Sequence, residues 1–207
     1  MRVLKRVAWA LVALLGVGFG VASARYLTFD PKVFPDTSRA AYEATSPAIY
    51  AHVLPGIFAV VLGPFQFLDG LRKRMPVHRT IGRVYVTASL LSAVGALRMA
   101  TVAYGELPAR LGLGCLGVLW LISTTCGFAA IRRRRIAAHR AWMTRSYSQT
   151  LAIVMFRLEL PILVALGASY LRAYQICAWA SWILNGLIAE WMIRSAETSP
   201  QVTVELA

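Results

Sequence analysis

Charge is scarce in this sequence. Only 15% of its 207 residues are Asp, Glu, Lys or Arg, against about 25% in soluble domains. What charge there is leans one way, with 22 Lys and Arg against 9 Asp and Glu and a formal net charge of +13. Cysteine is nearly absent. Cys115, Cys126 and Cys177 stand singly inside apolar runs with no C-x-x-C spacing, so neither a disulfide framework nor a zinc site is expected, and the three read as small core residues. Histidine is limited to His52, His78 and His139. G-x-S-x-G, H-E-x-x-H and P-loop signatures are missing, which leaves hydrolysis without support. A basic balance suggests nucleic acid in a soluble protein, but here the basic residues fall between apolar runs and no reader motif accompanies them. Nucleic acid is therefore not an expected partner.

Apolar sequence is what the chain has in excess: 58% of it is hydrophobic and its mean hydropathy is +0.60. A bilayer crossing takes about 20 apolar residues, and six stretches qualify: Val7–Ala24, Ala48–Leu68, Val84–Ala103, Leu111–Ile131, Tyr147–Ala168 and Ala173–Ile193. The expected fold class is all-α: an integral membrane helical bundle of about six transmembrane helices in a lipid bilayer. Residues 1–194 form a single membrane domain in this reading, and residues 195–207 a disordered cytoplasmic tail. Arg2, Lys5, Arg6, Arg72, Lys73, Arg74 and the Arg132–Arg135 run fall at one end of these spans, and only Arg25, Lys32, Arg39, Arg110 and Arg172 at the other. With the first helix retained, the positive-inside rule then places both termini in the cytoplasm, as expected of a bacterial inner-membrane protein.

The first segment has two readings. Its basic start, apolar run and Ala22-Ser23-Ala24 also describe a secretory signal peptide over residues 1–24. The run is longer than a usual signal core, which favours a retained first helix. Gly16 and Gly20 in it form a G-x-x-x-G, a pattern of close helix contact. The loop from Arg25 to Pro47 carries Pro31, Pro35 and Pro47 and predicts turns or a short surface helix. In the second span, Pro55 and Pro64 predict kinks beside His52 and Gln66, which either mark a cavity there or reflect only how common proline is in membrane helices.

An internal echo links two basic loops. R-K-R-M-P-V-H-R-T-I-G-R-V-Y and R-R-R-R-I-A-A-H-R-A-W-M-T-R-S-Y share the order basic cluster, His-Arg, Arg-x-Tyr. His78, Arg79, Arg83 and Tyr85 thus correspond to His139, Arg140, Arg145 and Tyr147, which predicts two related helical hairpins. H-V-L-P-G-x6-G-P-F-Q-F, these two motifs and L-N-G-L-I-A-E-W around Asn185 and Glu190 together resemble a bacterial family of predicted multi-pass membrane proteins, catalogued as a domain of unknown function. The resemblance covers about Tyr26 to Arg194 and implies a fold type and a location without an activity. In outline the chain is also similar to the b-type membrane cytochromes, in which histidines on neighbouring helices hold haem. It departs from their two-haem form, because three histidines cannot supply two bis-histidine haems.

Polar residues within the spans are the remaining site candidates, since charge at such depth is costly unless paired or hydrated. Counting about 1.5 Å per residue from the basic end, Gln66, Gln149 and Glu190 lie near the inner surface and Arg157 and Asn185 near the bilayer centre. Glu159, Arg98 and then His52 lie further out. Together they make a candidate polar track, in which Arg157 is expected to bond Asn185, and Glu159 to meet Arg98 or His52. For His78 and His139 three readings stand. They hold one haem b, with arginines on its propionates; or His78, Arg79, Arg83, His139, Arg140 and Arg145 bind an anionic lipid or another phosphate group; or the set is structural. His52 has no second histidine at its level and suits hydrogen bonding in the bundle, or proton or quinone chemistry. The corresponding functions are a haem- or quinone-linked redox role and a non-enzymatic lipid- or small-molecule-binding or transport role.

Overall fold

The structure is a computed structural model and describes residues 2–33 and 39–198. Among these residues it is all helix and turn, without strands. Helix α1 spans Arg2–Ser23, α2 Arg39–Ala44, α3 Ser46–Leu62, α4 Asp69–Lys73, α5 Met75–Ala100, α6 Glu106–Arg132, α7 Ile136–Thr150, α8 Ala152–Ala165 and α9 Tyr170–Glu197. Six segments are long and apolar enough to cross a membrane: Arg6–Thr28, Ser46–Phe67, Met75–Ala100, Glu106–Arg132, Ile136–Ala165 and Tyr170–Glu197. Each contains one of the six stretches expected from hydropathy, or most of it.

The helices outrun those stretches. The 26 residues of α5 make a rod of about 39 Å against a hydrocarbon core of about 30 Å. Its first turns, carrying His78 and Arg79, therefore stand beyond the apolar run. Hydropathy marks where lipid begins; it does not mark where backbone hydrogen bonding ends. The same holds for α7, which starts at Ile136 and gives way to α8 across Leu151, so the fifth span is two stacked helices. At the far end α9 continues to Glu197, so Ser195, Ala196 and Glu197 of the expected tail are helical. Residues 199–207 lie outside the described residues.

Two helix ends show how local chemistry sets the connections. Proline 64 does not kink α3 but ends it. The helix stops at Leu62, and Pro64 opens a 3-10 turn over Pro64–Phe67. The carbonyl of Pro64 accepts a 2.8 Å hydrogen bond from Trp9 Nε1 of α1. Pro55, by contrast, sits inside α3. Helix α6 ends with Arg134 in the left-handed region (φ 58). Its amide bonds the Ile131 carbonyl and the Arg135 amide bonds the Ala130 carbonyl, the paired closure of a Schellman turn. The same closure at the end of α8 uses Gly167 (φ 95). Between α1 and α3 lie 3-10 turns at Ala24–Thr28 and Pro31–Val33 and the short helix α2, in keeping with the turns and surface helix expected there.

Packing follows membrane rules. Leu14, Leu166 and Trp191 are among the large apolar residues that face outward, while Ala59, Ala93, Ala109, Ala152, Ala173, Ser89, Ser92 and Thr124 are fully enclosed. Lipid offers no drive to hide leucine, so small residues that let backbones approach occupy the centre. Helix α3 packs on α5, α5 on α6 and α6 on α7; α9 packs on α6, α7 and α8, and α1 on α3. The G-x-x-x-G of α1 makes the expected close contact, since a Cβ at Gly16 would stand 2.9 Å from the Val60 carbonyl oxygen. Cys177 is buried as expected, whereas Cys115 is exposed on the outer face of α6. The two echoed loops join α3 to α5 and α6 to α7, which gives two hairpins, the first enlarged by α4.

Candidate functional site

A cluster of hydroxyls lies at the centre of the bundle. Tyr85 of α5, 1% exposed, places its hydroxyl 2.9 Å from Ser146 Oγ and 3.0 Å from Thr150 Oγ1, both on α7. Ser146 Oγ is in turn 2.7 Å from Thr124 Oγ1 of α6. Thr150 donates to the carbonyl of Ser146, and each hydroxyl has one proton to give. The order of donation is therefore fixed: Thr124 to Ser146, Ser146 to Tyr85, Tyr85 to Thr150, and Thr150 to the backbone. Three helices are joined by one directed chain.

The second tyrosine of the echo meets the first. The rings of Tyr85 and Tyr147 have centroids 6.3 Å apart, and Tyr147 donates to the Val60 carbonyl of α3 at 3.2 Å. Tyr147 occupies space that a side chain at Gly63 would fill. The repeat seen in sequence thus converges on a shared core rather than forming two separate sites.

His52 and His139 are held alike. His52 Nδ1 lies 2.9 Å from the Ser92 carbonyl oxygen and His139 Nδ1 lies 2.8 Å from that of Gly127. A carbonyl can only accept, so in both rings Nδ1 carries the proton and Nε2 keeps its lone pair. Ser92 Oγ is 3.0 Å from the His52 ring and donates to the His52 carbonyl. The ring edge of His52 faces Trp120 of α6 with centroids 6.5 Å apart.

At the basic end, His78 is half-buried. Its Nδ1 is enclosed without a hydrogen-bond partner, and its neighbours include the His139 ring and the cations Arg72 and Arg79. Arg79, Arg83 and Arg140 are exposed. Arg145 differs from its counterpart Arg83. It reaches across to α9 and grips Glu190 through both Nε and Nη2, the latter at 2.9 Å, while its guanidinium lies 4.7 Å from the Trp142 ring centroid. Arg145 is thus paired with a carboxylate, unlike Arg83.

The expected polar track is not continuous. Asn185 donates to the Ser148 carbonyl at 3.2 Å instead of meeting Arg157, which points outward from α8. Glu159 meets neither Arg98 nor His52, and both of its carboxylate oxygens are enclosed without a partner. Arg98 turns back to Thr101 Oγ1 at 2.6 Å, at the rim of an apolar groove of about 350 Å³ lined by Ala48, Ala51, Pro55, Leu91, Val94 and Gly95. The groove is lined by Pro55 but by neither His52 nor Gln66, the polar residues beside which a cavity was one reading of the prolines. The pairings failed because depth along a helix leaves its rotation undetermined, and because backbone carbonyls took the polar partners. Gln66 approaches α5, where a Cβ at Gly82 would lie 3.2 Å from Gln66 Oε1.

The residues that sequence reading missed are Ser89, Ser92, Trp120, Thr124, Ser146 and Thr150. Hydroxyls attract little notice in an apolar segment, yet 85, 89 and 92 follow helical spacing.

A family model described as a predicted membrane protein matches residues 49–193, most of the chain. The chain belongs to the DUF2306 family. The matched region begins inside α3 and ends inside α9, so it contains both His-Arg motifs, the hydroxyl cluster and the Arg145–Glu190 pair. The DUF2306 description gives a membrane location and no activity. No curated protein and no solved structure matches the chain.

Proposed function

We propose that this membrane protein binds an anionic, phosphate-type group, such as the headgroup of an anionic lipid, at the basic end of its bundle. The observation that carries the reading is His78. Its Nδ1 is enclosed without a partner beside Arg72, Arg79 and His139. Among the described residues no carboxylate pairs with Arg79, Arg83 or Arg140. Arginine forks suit phosphate oxygens, and each basic group near an anionic surface contributes about 1 kcal/mol. This end faces the cytoplasm of a bacterial inner membrane in our reading, as the basic bias implies. In nanodiscs, phosphatidylglycerol should raise the wild-type melting temperature above that in phosphatidylcholine. The Arg79→Gln, Arg83→Gln, Arg140→Gln triple variant should lose most of that difference, as should 0.5 M salt (about a 4 Å screening length). An equal lipid effect in wild type and triple variant rejects the site.

A second reading, a haem-linked redox role, is favoured by the histidine tautomers. A ligating histidine donates its other ring N–H to a carbonyl or carboxylate, which is how His139 meets Gly127 and His52 meets Ser92. In this reading His139 and His78 hold haem b, or a quinone takes its place, and neighbouring arginines meet its acidic groups. Protein purified after expression with ample haem should then show a Soret band that His78→Ala or His139→Ala removes. No band discards the haem, and a band that survives both substitutions discards these ligands.

A further inference from the structure

Positions 78, 82, 85, 89 and 92 of α5 are spaced by four, three, four and three residues, so they form one stripe along the helix. The stripe reads His78, Gly82, Tyr85, Ser89, Ser92. Fourteen residues at 1.5 Å make it about 21 Å long, two-thirds of the hydrocarbon thickness. Four of the five positions carry a polar side chain, and Gly82 leaves room for Gln66.

Two parts of this stripe are hydrogen-bonded: the Tyr85–Ser146–Thr150–Thr124 cluster and the His52–Ser92 pair. Between them sit Ser89 Oγ and Trp120 Nε1, both enclosed, with the Tyr85 hydroxyl as a polar neighbour but neither in a hydrogen bond of good geometry; Ser89 is 0% and Trp120 6% exposed. Towards the basic end, Gln66 Nε2 and His78 Nδ1 are enclosed and unpartnered in the same way. Buried polar atoms in proteins meet a partner or an ordered water, and within hydrocarbon the cost of leaving them bare is several kcal/mol each. Unpartnered atoms thus fall in the gap between the bonded parts and again at the basic end of the stripe.

We propose that this stripe is a hydrated proton path between His78 and His52. Water bridges Ser89, Trp120 and Tyr85 at the centre, and Gln66 and His78 at the basic end. Hydroxyls and water both donate and accept, so a proton moves by forming one O–H bond as the next breaks. Trp120, a donor only, anchors water without passing protons. The end groups are imidazoles, whose two ring nitrogens let a proton be taken up at one and released at the other. His52 faces Ser92 from α5 and Trp120 from α6, with no carboxylate or cation among the groups bonded to it. His78 faces His139, Arg72 and Arg79. No carboxylate lies on the stripe, so a metal cation finds no charged ligand there. One proton in gives one proton out, with no oxidant or reductant. From His52 to the start of α3 at Ser46 about 9 Å remains.

The test is proton flux into vesicles holding an internal pH dye under a potassium diffusion potential. Wild-type protein should acidify them at least tenfold faster than protein-free vesicles. Tyr85→Phe keeps the ring but breaks the chain and should lower the rate about tenfold, as should Ser92→Ala. Gly18→Leu, at a position with nothing within 4 Å, should leave it unchanged. Hydrogen exchange of the Trp120 indole, read by NMR, gives a second measure: minutes if water enters, days if the stripe is dry. Protein-free rates for wild type, rates in Tyr85→Phe and Ser92→Ala equal to wild type, or a dry indole overturns the proposal.

Discussion

Gly95→Val should unfold the protein more readily than any surface change. Helices α3 and α5 approach closely at Gly95. A Cβ there would stand 2.6 Å from the His52 amide nitrogen and 2.9 Å from the Ala48 carbonyl oxygen. Both atoms are backbone, so neither can rotate away, and the helices have to separate. Overpacking of this kind costs about 1–3 kcal/mol. Separation also weakens the His52–Ser92 bonds, 2.9 Å and 2.6 Å long, each worth about 1 kcal/mol or more when its groups are left buried. A total of about 4 kcal/mol corresponds to a fall in melting temperature on the order of 10 °C for a chain of this size. Gly18→Val, where nothing lies within 4 Å, should change it by about 1 °C or less. Thermal unfolding of the two variants in one detergent measures the difference, and equal melting temperatures would mean that the close crossing at Gly95 is not made.

The same crossing holds the polar centre in place. Gly56 of α3 faces the Ser92 hydroxyl, which a Cβ would meet at 3.0 Å, so small residues on both helices bring the Ser92 hydroxyl to the His52 ring. On the other side, Gly112 of α6 would place a Cβ 2.7 Å from the Ala178 carbonyl oxygen of α9. Glycine and alanine set the helix spacing, and that spacing brings hydroxyls of α5, α6 and α7 within bonding distance. Structure and candidate chemistry therefore depend on the same contacts.

Much of this was legible in the sequence. Crossing the bilayer demands about 20 apolar residues, which makes six spans visible without any contact information. The echo around His78 and His139 matched Tyr85 with Tyr147, and the two rings meet in the core. Pairing was not legible. Asn185 chose a backbone carbonyl, and every residue supplies one, so sequence gives no sign of which is taken. Arg157 has the right depth for Asn185 and the wrong side of the helix. Serine and threonine were overlooked because they tolerate lipid-facing positions as well as buried ones, and only the four-three spacing on α5 separates the two cases. Arg145 and Arg83 occupy equivalent places in the echo, yet one is paired and the other exposed, since only α7 lies against the carboxylate of α9.

That last difference gives the second large effect. Arg145 and Glu190 share two hydrogen bonds between α7 and α9, and their side chains are 28% and 37% exposed. Full exposure would make such a pair worth under about 1 kcal/mol, and full burial would make breaking it cost about 3–5 kcal/mol. Partial burial and two-point geometry place Glu190→Ala between these, at about 2 kcal/mol. Arg145→Ala should cost somewhat more, because it also removes the contact with the Trp142 ring, worth about 0.5–1 kcal/mol. The double variant should be less unstable than the sum of the two by about 1–2 kcal/mol, since neither charge is then left without its partner. Arg83→Ala, by contrast, should fall within about 0.5 kcal/mol of wild type, as exposed substitutions do. Reversible unfolding of the four variants in mixed detergent measures all of these. Strict additivity would show that the pair contributes no coupling, and a loss at Arg83 equal to that at Arg145 would show that the two copies of the motif brace the fold in the same way.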